Sequence, residues 1–266
     1  MGQGILLAGG NVDFMIHGVF SYELFGQTLW ITTSHVCIFI VVLVLLAFFI
    51  AAGAIFRKAD EIPGGMQNAI EIIVEFLDGI ANGAMGKSAK GFRNYVGVLF
   101  IFILFSNISG LLGLRPPTAD YGVTLPLGVL TFSLVHINEF RYNTVWSIWK
   151  DKCSPLPPWL PIWLPINLIG DFAVPISLSL RLFANVLSGT VMMALVYGLL
   201  SKIAYAWPAA LHVYFDLFSG AIQTYVFCML TMTYIASAIG DEEDPVLIRW
   251  IKKRKAAKTE KAGENA

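Results

Sequence analysis

Arg181 stands near the middle of Trp159–Ser201, a stretch whose only other charged residue is Asp171. A guanidinium at membrane depth costs about 2.5 to 3.5 kcal/mol on insertion scales and about 10 or more on an isolated helix, so a counter-charge or an aqueous path must face it. On a helix, Ser177, Arg181, Asn185 and Ser188 fall at i, i+4, i+8 and i+11, one polar stripe on an apolar cylinder. Asp216, Ser219 and Gln223 share a face by the same rule. Two such stripes facing each other inside a membrane can line a narrow path for an ion. The competing reading is a buried ion pair, in which Asp216 or Asp171 neutralises Arg181 and sets the helix packing. Asp171 precedes Arg181 by about 15 Å of helix, which makes it a separate station.

The elements that must hold these residues are apolar helices. Of 266 residues, 56% are hydrophobic and only 14% charged, and the mean hydropathy is +0.69. That composition is an integral membrane protein's. The expected fold is all-α, one membrane domain over 1–266, with about five transmembrane helices at 35–56, 94–114, 121–138, 166–201 and 203–240. An outer segment, 1–34, precedes them and a basic cytoplasmic tail, 241–266, follows. Between the first two spans, Ile70, Ile73, Val74, Leu77 and Ile80 recur at helical spacing opposite Glu71, Glu75 and Asp78, which predicts an interfacial amphipathic helix over 66–90. The prolines between Ser154 and Pro165 break the loop before the fourth span, which is expected to start near Ile166. The last two helices exceed what a perpendicular crossing needs, so they should form a long, tilted hairpin.

Charge places the ends. With the N-terminus outside, Arg57, Lys58, Lys87, Lys90, Arg93, Arg141, Lys150, Lys152 and the tail from Arg249 to Lys261 lie inside, against Arg115 and Lys202 outside. Met1–Ile16 has no basic n-region, so the first span is expected to direct insertion. Cys37, Cys153 and Cys228 show no pairing or metal spacing. No GxxxxGK[ST], no GxGxxG after a strand and no HExxH occurs, so no cofactor or metal is expected and any link to nucleotide must come from a partner. Asn107, Thr118, Asp120 and Asn138 lie near span ends, where an outer vestibule competes with capping and hydration. His35, His136 and His212 could relay protons near neutral pH or serve only as hydrogen-bonded packing groups.

The run Pro175-Ile-Ser-Leu-Ser-Leu-Arg181-Leu-Phe-Ala-Asn185 resembles the signature of subunit a of the F-type ATP synthase. Supporting matches are Asn107-Ile-Ser-Gly-Leu-Leu-Gly-Leu-Arg-Pro-Pro-Thr118-Ala-Asp120, Val123-Thr-Leu125, Asn167-Leu-Ile-Gly-Asp171-Phe-Ala, and Gln223 followed by Phe227–Tyr234. The resemblance runs in order from about Met15 to Glu243. Ala184 replaces a common Gly, Thr190 stands where some bacterial members have Glu, and Asp216 stands where those have His, although other members carry an acid there.

The resemblance implies a non-catalytic stator subunit beside a rotating ring of c subunits, held by the b-subunit peripheral stalk and the remainder of the ATP synthase, in a bacterial plasma membrane and in contact with lipid, not nucleic acid. It implies two offset half-channels, the outer along Asn185, Asp216 and Gln223 with Ser188 on the same stripe, the inner near Asp171 and Asn167, and Arg181 between them. Protons are the default ion and Na⁺ the alternative, because selectivity rests mainly with the ring carboxylate. Two rivals remain. A secondary transporter would show two related halves with interrupted helices, and no such repeat is found. A purely structural assembly protein would tolerate loss of both Arg181 and Asp216.

Overall fold

The computed structural model describes residues 18–24, 27–57, 64–86, 89–112, 114–153, 163–199, 207–240 and 246. The extreme N-terminus, the proline-rich stretch up to 162, the link between the last two helices and the basic tail lie outside the described residues.

The chain is an all-α integral membrane protein with five helices long and apolar enough to cross a bilayer. Ahead of them stands a short hairpin that the helical expectation did not include. Strand β1 (Gly18–Leu24) pairs antiparallel with β2 (Gln27–Thr32), Gly18 opposite Thr32 and Leu24 opposite Gln27. Val19, Phe20, Tyr22, Trp30, Ile31 and Thr32 are the β-branched and aromatic types that favour extended backbone. Thr32 then caps α1 (Thr33–Phe56), its hydroxyl 2.6 Å from His35 Nδ1. His35 is therefore engaged at a helix cap.

Helix α1 buries a single row, Cys37, Val41 and Leu45, and leaves Phe39, Leu43, Leu46 and Ile50 exposed. That is the surface of a span facing lipid. Helix α2 (Gly65–Met85) buries Leu77, Ala81 and Met85 at i, i+4 and i+8 and stops at Gly86, whose φ of +55° suits glycine. It ends before 90, and its Asp78 pairs with Arg93 of the next helix at 3.0 Å.

Helix α3 (Ala89–Ile108) begins earlier than 94 and passes into a 3₁₀ turn at Ser109–Leu112. Helix α4 (Tyr121–Tyr142) runs past 138 through Glu139 and Arg141. The physical reason is common to both: a charged residue marks where the chain meets water, whereas helical hydrogen bonding continues beyond that level. The segment after α4, expected as loop, holds α5 (Val145–Cys153). Helix α6 (Trp163–Leu199) starts three residues before Ile166, because Pro165 falls in the first turn, where a missing N–H forfeits no helical bond. Helix α7 (Trp207–His212) leads through a π-helical turn, Val213–Ser219, into α8 (Gly220–Ile239).

Helix α8 occupies the centre. Its Phe227, Cys228, Met232, Ile235 and Ile239 are buried against Ala81 and Met85 of α2, Val96, Leu99 and Ile103 of α3, and Leu178 and Leu182 of α6. Lipid tails are as apolar as these side chains, so the assembly depends on close packing, small residues and interhelical hydrogen bonds more than on hydrophobic transfer. The tightest approach is between α4 and α6, where a Cβ on Gly128 would lie 2.5 Å from the Pro175 carbonyl oxygen.

Gly128→Ala is expected to force these helices apart and to destabilise the protein by about 1 to 3 kcal/mol. Gly170→Ala, with open space around it, serves as the control. Thermal unfolding in detergent should separate the two midpoints; equal midpoints would contradict this packing.

Candidate functional site

The site lies along the seam between α6 and the final helix. Helix α6 turns Leu178, Ser179 and Leu182 inward, which leaves Ser177, Arg181 and Ser188 on its exposed side. Arg181 stands beside exposed Ile176 and Leu180 and makes no ion pair with an acid among the described residues. Neither Asp216 nor Asp171 neutralises it. Each has a histidine instead.

Asp216 sits in the π-helical turn, and its Oδ2 is 3.1 Å from His212 Nδ1. A π turn admits an extra residue per turn and redirects the side chains on it. Here it brings Asp216 against Gly110, where a Cβ would lie 3.2 Å from the carboxyl carbon and from Oδ2. One turn on, the Ser219 hydroxyl donates to Asn185 Oδ1 at 3.1 Å, tying the two predicted stripes together. A cavity of about 10 Å³ opens between them, lined by Asn107, Pro116, Asn185, Val186, Gly189, Phe215, Asp216 and Gly220. That is room for about one water.

Asp216 therefore lies level with Asn185–Gly189, about 6 to 12 Å along α6 from Arg181 at helical rise. Asp171 lies about 15 Å from it in the other direction. His136 Nε2 of α4 approaches Asp171 Oδ2 at 3.9 Å and Glu139 Oε2 at 4.0 Å, with the Phe132 ring centroid 4.1 Å from the imidazole. Two histidine–carboxylate groups thus flank the guanidinium from opposite ends of α6.

The remaining predicted residues divide. Gln223 is buried on α8, and its Nε2 has no hydrogen-bond partner among the described residues. Asn167 lies on the first turns of α6, half-buried and partnered. Asn107 and Thr118 are buried cross-ties: Asn107 Nδ2 donates to the Gly220 carbonyl at 3.1 Å and to Thr224 Oγ1 at 3.3 Å, while its Oδ1 accepts from Thr118 Oγ1 at 2.8 Å. Asn107 also lines the cavity, whereas Thr118 does not. Asp120 caps α4, its Oδ1 accepting from the Gly122 amide at 2.9 Å. Asn138 bonds the Leu134 carbonyl of its own helix, and Thr190 likewise returns to Val186.

Sequence reasoning gave His212 and His136 no preferred role over packing. The signal was present for one of them, since His212 and Asp216 are spaced i, i+4. For His136 and Asp171, on different helices, no local signal exists. Gly110, Gly128 and Gly220 were also missed; a Cβ on Gly220 would come within 2.9 Å of Asn107 Cβ, so its absence lets Asn107 reach the backbone.

Fold and seam define a multi-pass helical membrane protein with ionisable groups strung along its last two long helices. The family model for the ATP synthase A chain matches residues 35–236. The chain is 36% identical over 203 residues to "ATP synthase subunit a, sodium ion specific" of Propionigenium modestum, covering 70% of this chain and 68% of that one. It is 34% identical over 242 residues to ATP synthase subunit a of Limosilactobacillus reuteri, covering 83% and 97%. To the subunit a of a Sulfurihydrogenibium species it is 31% identical over 211 residues, covering 79% and 99%. The chain belongs to the ATP synthase subunit a family.

Asn107→Leu removes the acceptor of the buried Thr118 hydroxyl and a donor to α8. A loss of about 1 to 3 kcal/mol is expected, read as a lower unfolding midpoint in detergent. An unchanged midpoint would mean that the cross-tie contributes nothing.

Proposed function

We propose that this chain is the proton-translocating stator subunit of a rotary ATP synthase, packed beside a ring of c subunits and held by the b-subunit stalk. The observation that carries this reading is Arg181: a guanidinium midway along a membrane helix, exposed on the side turned away from the bundle and without an acid partner among the described residues. A cation left so in a bilayer calls for a counter-charge from another subunit. A ring of membrane carboxylates supplies one.

The mechanism follows from desolvation. A carboxylate turned to lipid holds its proton, because burial disfavours the charged form; opposite Arg181 the ionised form is favoured and the proton leaves. Asn185, Asp216 and Gln223 form the outer access, with Ser188 beside the ring. Asp171 and Asn167 form the inner one, with His136 as an added neighbour. Because the two accesses meet α6 at different levels on either side of Arg181, a proton passes between them only by riding the ring. Each charge crossing is worth about 2.3 kcal/mol per 100 mV. Histidine–carboxylate pairs at both accesses support the proton as the ion, although the Propionigenium relative carries a sodium-specific name. The charge bias supports an outer N-terminus and a cytoplasmic C-terminus in a bacterial plasma membrane.

Two measurements test this. In vesicles carrying the assembled complex, Arg181→Ala should lower ATP-driven, ionophore-sensitive acidification on the order of a hundredfold, the scale on which loss of a preorganised charge-stabilising group is felt. Arg181→Lys should recover little, since an ammonium lacks the planar fork and deprotonates when desolvated. Undiminished pumping in either variant would reduce Arg181 to a packing charge. In the parent complex, acidification should proceed without added Na⁺; an absolute Na⁺ requirement would sink the proton assignment.

A further inference from the structure

We infer that His212 is the proton-exchanging entry group of the outer access, passing protons to Asp216 as a dyad built on the π-helical turn. The inference rests on the channel reading above and adds a residue to it. Its ground is geometry. His212 Nδ1 is 3.1 Å from Asp216 Oδ2, and the two side chains keep 27% and 22% of their surface, so neither is sealed inside the bundle. Asp216 opens on its far side into the one-water cavity that reaches Asn185. Imidazole, carboxylate, water site and amide therefore form an unbroken series from the end of α7 toward Arg181.

The groups that face Asp216 come from several elements. The connection between α3 and α4 presents Gly110 and Pro116, with Arg115 adjoining, and α3 presents Asn107. Helix α6 presents Asn185, Val186 and Gly189, with Arg181 one turn below Asn185; Tyr214 is the other titratable group on the turn. No second acid lines the cavity among the described residues. Asn107 Oδ1 and Asn185 Oδ1 already accept from Thr118 and Ser219, so the titratable acceptor at the cavity is Asp216. Proton balance is simple. The imidazole takes a proton at Nε2 and releases one from Nδ1 to Asp216 Oδ2, so it stays neutral overall while the carboxylate becomes a carboxylic acid. Asp216 then passes its proton through the cavity water to a c-subunit carboxylate, and tautomer exchange restores Nδ1–H.

The test uses the whole complex in liposomes, with ATP synthesis driven by a potassium diffusion potential while the pH on the outer side of the subunit is stepped. His212→Gln keeps a donor for Asp216 but cannot carry a proton. It should assemble, synthesise at least about tenfold more slowly, as loss of a positioned proton-transfer group entails, and show an altered dependence on outer pH. A rate and pH dependence equal to the parent's would overturn the relay, as would a slower rate with the parent's pH dependence, which is the mark of a packing role. The parent complex alone gives a second test, independent of any variant's folding: its rate must change as the outer pH is stepped, because the entry group draws its protons from the outer water. A flat response overturns the inference. Arg181→Ala and Asp216→Asn separate the two levels of the argument. If both leave synthesis intact, the channel reading itself fails; if they abolish it while His212→Gln is silent, only the relay fails.

Discussion

A cation held halfway along a membrane helix constrains everything around it. Its desolvation is favourable only if a counter-charge or water reaches it, and among the described residues Asp171 and Asp216, the acids along the two long helices, are held by histidines instead. Arg181 must then point away from the bundle, which requires the opposite face of α6 to be packed. Leu178 and Leu182 supply that face to the core that α8 occupies, and Ser179 meets Gly128 of α4. One residue thus sets which side of the longest helix is interior and which is left for a neighbour.

Holding the seam in register falls to polar groups in the interior. In a medium as apolar as the side chains themselves, hydrogen bonds between helices carry orientation that hydrophobic burial cannot. Asn107 anchors α8 to α3, Ser219 joins it to α6, and Asn143 Nδ2 reaches the Ala238 carbonyl at its far end at 2.8 Å. Glycines let the backbones come close enough for these bonds to form. The π turn then departs from regular helix at the residue where a side chain must be redirected into a cavity. Local irregularity at a functional position is an expected pattern, because regular packing alone cannot aim a carboxylate.

How far the chain could be read in advance differs between its parts. The five spans were legible from uninterrupted apolar runs, and the polar stripe on α6 from helical period. Helix ends were less so, as Glu139 and Arg141 show by lying inside α4. Asp120 illustrates a further limit: an acid near a span end reads equally well as a vestibule group or as a cap, and only backbone geometry shows that it accepts from the Gly122 amide.

By itself the sequence determined that this is a helical membrane protein, where its apolar segments run, and that an arginine lies at their depth, because hydropathy and periodicity are properties of contiguous residues. Tertiary structure alone decided that Arg181 faces outward, that Asp171 turns to His136, and that Asn185 meets Ser219 beside a water-sized cavity. Those facts depend on which helices touch and at what height. Pairings between residues more than thirty positions apart leave no mark on the period of either helix.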